Sequence, residues 1–332
     1  MVVDFPKKVV HGGTGKLQRE KTRKSVLDFS ASVNPFPPRF RWDCREVSLE
    51  GYPDDEYTCL KERIGKIFHR EPEEICVGNG SVEIIRVFCH AALGHRKTFF
   101  LPRPTFGEYE LSAILSGATP VGDPKEADVT FLCNPNNPTG TLLNRAAMND
   151  HLVQTAAAGG ILFCDEAFIA LSDPAQSLAG TRDPHLFVLH SLTKSFSVPG
   201  IRFGFGFGDP SLIRKIETAR SPWSVNAFAE SYAMEALCHL DELEASRKAI
   251  AAERAWLISR LEELSLTCYP SAVNYLLVRC SRPATPLSEA LLLGGILVRD
   301  CTSFGLPDCI RVAVRTRDEN LLLLGALAAC LR

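Results

Sequence analysis

The chain has 332 residues, 45% hydrophobic and 23% charged, with a formal net charge of −2. That length holds one large domain and one smaller one, and that composition buries a sizeable core. The near-neutral balance argues against a nucleic-acid partner, and the absence of any run of eighteen apolar residues argues against a membrane span.

Residues 1–44 read as irregular, broken by Gly12-Gly13 and Pro35-Phe-Pro-Pro38, with Val26–Ser30 as a short strand and Lys16 to Lys24 as a basic, solvated loop. Helical spacing of Leu60, Ile64 and Ile67 predicts a helix over 57–69. Strands are expected at 74–77, 98–101, 129–133, 160–164 and 186–190, with helices over 82–93, 108–115 and 144–157 between them. That alternation predicts a mostly parallel sheet covered on both faces, with ligands at the carboxyl ends of its strands. A helical region follows from Ser211, and 230–263 is a long helical stretch. The last seventy residues mix strands at 275–278 and 310–314 with helices near 288–293 and 319–331, an α+β module. The organisation expected is an N-terminal segment (1–44), a large domain (45–225) and a small domain (226–332).

The 12 cysteines form no Cys-x-x-Cys pair. Cys133, Cys164, Cys238 and Cys280 sit singly in apolar runs, as reduced, buried thiols do. No histidine has metal-ligand spacing, and His90 and His95 read as helix-end residues. The N-terminus shows no apolar signal core, which favours a cytoplasmic location.

The chemistry concentrates at strand ends. Strand 186–190 delivers Lys194 on the loop after it, flanked by Ser191 and Thr193 and followed by Gly200 and Arg202. A lysine beside hydroxyls and a guanidinium suits a Schiff base with a phosphorylated aldehyde; an ordinary solvated lysine is the competing reading. Asp165 follows strand 160–164, where a carboxylate can keep a pyridine nitrogen protonated. Alternatively Asp165 caps a helix and Glu166 is the useful acid. Asn134-Pro-Asn-Asn137-Pro-Thr-Gly140 is a rigid turn whose Asn137 amide can donate to a phenolate. Gly78-Asn-Gly80-Ser81 opens a helix, where backbone amides can approach a phosphate. Phe106 offers a ring either for stacking or for core packing. Arg299 and Arg311 lie in apolar strands and need anionic partners, either Asp300, Asp308 or Asp318, or a doubly anionic substrate.

In order along the chain, Tyr52-Pro53, Gly78–Ser81, Pro104–Phe106, Asn137–Gly140, Asp165–Phe168, Ser191–Lys194, Arg202 and Arg311 resemble the fold-type I pyridoxal-phosphate enzymes of the aspartate aminotransferase superfamily. The resemblance implies an α/β fold: a large cofactor domain with a mostly parallel seven-stranded sheet between helices, plus a smaller α+β domain. It implies pyridoxal 5′-phosphate as cofactor, bonded to Lys194, with Asp165 on the ring nitrogen, Asn137 on the 3-oxygen and Phe106 stacked on the ring. Gly80, Ser81, Ser191, Thr193 and Arg202 would hold the phosphate, Tyr52 would reach the phosphate of a neighbouring subunit in a homodimer, and Arg311 would grip a substrate carboxylate. Many members carry tyrosine where this chain has Phe168, which leaves Asn137 with more of the 3-oxygen contact. His11-Gly-Gly13, the segment Leu27–Pro35 with Asn34, Asp165–Phe168 and Val298-Arg-Asp-Cys301 are similar to the threonine-phosphate decarboxylases of cobalamin biosynthesis. That similarity implies a small phosphorylated amino acid as substrate, with His11, Asn34 and Arg299 near it. Histidinol-phosphate aminotransferases share most of the same motifs, and serine phosphate differs from threonine phosphate by one methyl group.

Overall fold

A computed structural model describes residues 6–23, 25–94 and 97–331. Lys24 and His95 lie outside the described residues. The main sheet has seven strands in the order 75–78, 204–207, 186–191, 161–165, 129–133, 98–100, 119–120. Within it, Gly204–Phe207 runs antiparallel to both neighbours and the remaining pairs are parallel. This is the fold-type I aminotransferase architecture.

Alternation along the strands builds a core on each face. Leu162, Cys164, Leu186 and Val188 join the helices Thr58–Phe68 and Ala227–Ala236 on one side. Phe163, Phe187 and Leu189 face the other way, against Ser81–Ala92 and Pro210–Ala219. The same period of two brings Asp165 and Ser191, the last residues of adjacent strands, to one edge of the sheet.

The strand Gly204–Phe207 escapes the sequence reading because glycine weakens a strand signal. The structure supplies the reason for its glycines. Phe205 and Phe207 fill one core, while the opposite face has no room for side chains. A Cβ on Gly204 would lie 2.7 Å from the Ser81 nitrogen, and one on Gly206 would lie 2.5 Å from Cζ of Phe187.

The smaller unit is a four-stranded antiparallel sheet in the order 299–300, 309–313, 275–279, 267–268, packed against the helices Ala284–Leu293 and Arg317–Leu331. The N-terminal segment belongs to it structurally. Leu27–Asp28 pairs with Ile296–Leu297, and Phe29 is fully buried in the smaller core. Residues 227–250, read from sequence as part of the smaller domain, pack instead with the large core through Ala229, Tyr232, Ala236 and Ile250. The hand-over falls inside the helix Leu243–Glu263, whose Leu257 and Leu261 lie in the smaller core.

Two further expectations are corrected. The basic stretch after Gly13 is not a loop but the helix Gly15–Thr22, closed by Arg23 at φ 55°. With Leu17 its one apolar residue, periodicity could not reveal it. Cys238 is exposed beside Arg63 rather than buried; Cys164 and Cys280 are buried, and all twelve cysteines are free thiols. No described helix is long and apolar enough to cross a membrane.

Gly206→Ala is expected to lower stability by about 1–3 kcal/mol, the usual cost of forcing atoms into a packed core. Gly122→Ala, with nothing within 4 Å of the added methyl, should be close to neutral. Denaturant unfolding of the two variants checks the pair.

Candidate active site

A cleft of about 940 Å³ opens at the carboxyl edge of the large sheet, walled by the smaller unit and by the N-terminal segment. Of the residues singled out from sequence, His11, Ser81, Phe106, Asn137, Asp165, Ser191, Thr193, Lys194, Arg202, Arg299 and Arg311 all line it.

Lys194 sits in the short helix Leu192–Ser195, which follows directly on strand Leu186–Ser191. Its amine has no hydrogen bond or ion pair among the described residues. Burial, reinforced by Arg311 and then Arg202, holds its pKa down to about 8. A neutral amine is therefore readily available to attack a carbonyl. Asn34 does not reach the cleft. Its Nδ2 donates to the Ser195 carbonyl at 2.8 Å, its Oδ1 accepts from Phe36 N, and its backbone N donates to the Lys194 carbonyl. It clamps the lysine turn, which corrects the expectation that it contacts substrate.

Asp165 is 4% exposed. Its Oδ1 accepts from the Ala167 backbone at 2.8 Å and its Oδ2 from the Tyr109 hydroxyl at 2.7 Å. Burial pushes its carboxyl up against these two donors, and a cation brought alongside would pull it down again. Its neighbour Glu166 points away from the cleft, bound by His190, Ser177 and the Leu178 amide. This settles which of the two acids faces the site. Tyr109 is the residue that the sequence reading passed over. It lies three positions after Phe106, in the first turn of the helix Glu108–Leu115, but nothing local marks its partner.

Gly80 has φ 79° and caps the helix Ser81–Ala92. Arg202 lies across it, so close that a Cβ on Gly80 would fall 2.3 Å from Nη2. Arg202 itself holds φ 62°, a conformation costing an L residue roughly 1–2 kcal/mol, and it has no carboxylate partner among the described residues. Ser81 at the start of that helix, Ser191, Thr193 and this guanidinium line the cleft together, a set of donors that could hold a phosphate dianion.

Arg311 is 7% exposed and lies over the Tyr275 ring at 4.9 Å. It donates to Asn137 Oδ1 and to the Ser30 carbonyl, and its Nε has no partner. The Asn137 carbonyl is thereby taken, and its amide NH₂ is left without a partner among the described residues. Arg299 is 6% exposed and binds the Asp300 and Val10 carbonyls and the Ser303 hydroxyl. Neither arginine pairs with Asp300, Asp308 or Asp318. Asp300 holds Thr285 and the Thr302 amide, and Asp308 holds Arg279.

His11 meets Glu108 at 2.8 Å and lies 5.8 Å from the Phe106 ring, which stands edge-on to Tyr109. Phe168 lines the cleft against Tyr275. Tyr52 stands apart, 82% exposed and stacked on Trp223, so no single chain brings it to its own cleft.

A free amine, a buried carboxylate, an unoccupied amide donor and a phosphate cradle within one cleft define the class: a fold-type I enzyme using pyridoxal 5′-phosphate, whose chemical groups these side chains fit. Residues 44–327 match the family model "Aminotransferase class I and II". The chain belongs to the class I and II aminotransferase family. It is 34% identical, over 90% of this chain and 88% of the other, to a protein from Caldanaerobacter subterraneus subsp. tengcongensis described as a "putative threonine-phosphate decarboxylase". It is 30% identical, over 95% of this chain and 93% of the other, to a histidinol-phosphate aminotransferase from Symbiobacterium thermophilum. Its fold superposes on that of the histidinol-phosphate aminotransferase from Sinorhizobium meliloti with a TM-score of 0.83, covering 99% of this chain and 96% of the other at 18% identity.

The rate of cofactor attachment should rise with pH through about 8 and level off above it, because the protonated amine cannot attack. Arg311→Gln removes the larger of the two charge repulsions on Lys194, so this rise should move to higher pH. Stopped-flow absorbance on enzyme stripped of cofactor measures both.

Proposed function

We propose that the enzyme decarboxylates L-threonine O-3-phosphate to (R)-1-amino-2-propanol O-2-phosphate, the aminopropanol unit of cobalamin. The observation that carries this reading is the pair Arg299 and Arg311, directly opposite one another on adjacent antiparallel strands and both without a counter-ion among the described residues. Residues so placed share a face, with Cβ atoms about 4.5–5.5 Å apart. Two adjacent guanidiniums suit two anionic groups on neighbouring carbons, as in an α-amino acid phosphorylated at Cβ. His11, at the mouth of the same cleft, supports a phosphate at the Arg299 end.

When bound, pyridoxal phosphate supplies an electron sink for the pair of electrons left on Cα. Arg311 holds the carboxylate until it leaves as carbon dioxide, and Arg299 fixes the other end of the substrate so that the breaking bond keeps its orientation. Lys194, free once the substrate amine is bound, returns a proton to Cα. The N-terminal segment, held over the cleft by Arg299 and by Gly13 N on Ser30 Oγ, limits water access. Decarboxylation of serine phosphate is a variant within this reading. It differs by a methyl group, which a pocket discriminates by only about 1–3 kcal/mol.

A second reading, transamination of a phosphorylated amine such as histidinol phosphate, is favoured by the 30% identity to an enzyme of that name across nearly the whole chain. Lys194 would then remove the Cα proton, and the two arginines would take the two carboxylates of 2-oxoglutarate in the return half-reaction. In either case the active form is a cytoplasmic homodimer in which the exposed Tyr52 serves the neighbouring site.

Threonine phosphate, serine phosphate and histidinol phosphate supplied in parallel should give carbon dioxide from the first without any keto acid. Pyridoxamine phosphate accumulating instead would establish transamination. Arg299→Met should lower kcat/KM for threonine phosphate on the order of 10²-fold, the cost of losing one partner of a buried charge pair. Lys194→Ala should abolish the chromophore.

A further inference from the structure

We propose that Tyr109 is a positioning residue for the cofactor, acting through Asp165: its hydroxyl fixes the carboxylate that meets the ring nitrogen. The proposal rests on the cofactor ring lying against Asp165 and holds whichever reaction follows.

The geometry leaves Tyr109 no other orientation. Its side chain is fully buried. The ring stacks on Phe131 at 5.5 Å and 8°, meets Phe106 edge-on at 5.5 Å and 81°, and lies 6.1 Å from Phe163. Three aromatic contacts from the helix entry and two central strands thus hold the phenol in place. Its oxygen lies 2.7 Å from Asp165 Oδ2, the short distance of a hydrogen bond to a carboxylate. The phenol, pushed well above its ordinary pKa by burial and by Asp165, remains a donor over any working pH.

Asp165 has one donor on each oxygen, Tyr109 on Oδ2 and the Ala167 amide on Oδ1. A carboxylate accepts about four hydrogen bonds, so capacity remains for a ring N–H. With both oxygens tethered, the carboxylate plane cannot rotate to follow a displaced ring. Tyr109 also draws Asp165 toward its ionised form, against the burial that favours the neutral acid. An ionised, non-rotating carboxylate is what keeping a pyridine nitrogen protonated requires. Phe106 touches the same tyrosine, so Phe106 and Asp165 are coupled through one side chain.

A tyrosine buried only for packing would also satisfy its hydroxyl, so the test must separate the two roles. The probes are pyridoxal 5′-phosphate and its 1-deaza analogue, in which carbon replaces the ring nitrogen. Binding of each is measured by fluorescence on full-length enzyme stripped of cofactor. Tyr109→Phe should weaken pyridoxal phosphate about tenfold, as expected for a lost hydrogen bond to a charged group, and leave the deaza analogue unchanged. Equal weakening of both would reduce Tyr109 to a packing residue and overturn the proposal. Wild-type enzyme binding both forms equally would show that Asp165 does not meet the nitrogen, and would overturn it for that separate reason. In an Asp165→Asn background, Tyr109→Phe should cost no further affinity for pyridoxal phosphate; an additive loss would count against action through Asp165. The holoenzyme's visible absorbance should also become more pH-sensitive in Tyr109→Phe, which a purely structural role would not produce.

Discussion

Arg311 is a buried cation whose partners among the described residues are all neutral. It reaches from the smaller sheet to Asn137 on a turn of the large one and to the Ser30 carbonyl of the N-terminal segment. One guanidinium therefore ties together the three parts of the chain that wall the cleft. A charge taken out of water without a counter-ion is costly, and here the cost is only partly offset by carbonyl oxygens and the Tyr275 ring. Its neighbour Arg299 has no acidic side-chain partner among the described residues either, and Arg311 lowers the pKa of both Lys194 and Arg299. The cleft is an arrangement of like charges held in place by the fold, and an anion relieves it.

That arrangement also explains the two acids at the end of strand Ile161–Asp165. Glu166 turns to the far side, where His190, Ser177 and an amide satisfy it completely. Asp165 stays on the cleft side with spare acceptor capacity. Arg202, Arg299 and Arg311 gather on the walls of the cleft, and Asp165 faces them as a lining carboxylate with acceptor capacity to spare. Complementary placement of this kind gives orientation and selectivity more than raw affinity. The N-terminal segment completes it, because Val10 accepts from Arg299 and His11 meets Glu108.

Much of this was legible in the residues. Strands Val129–Cys133 and Ile161–Asp165 are almost wholly apolar, broken only by Thr130 and the terminal Asp165, the mark of a sheet buried on both faces. The polar strings that follow them fell at carboxyl ends, so the strand reading also located the site. Asn34 misled because its motif sits beside the site and local sequence cannot say which way a buried amide points. The glycines of Gly204–Phe207 concealed a strand because their role is to make room for Ser81 and Phe187, residues distant in sequence. The helix Ala227–Ala236 was assigned to the wrong unit because an apolar face does not name the surface it will meet.

The sequence by itself determined most of the large sheet's elements, the alternation that makes a parallel sheet, and the placing of Lys194, Asp165 and Asn137 at or just after strand ends. These are encoded locally, in period, turn chemistry and short spacing. Only the tertiary structure decided that Arg299 stands opposite Arg311, that Tyr109 holds Asp165 and that Asn34 faces the lysine turn. Each joins residues brought together by strand register or sheet order, and register follows from the packing of whole faces rather than from any single stretch of chain.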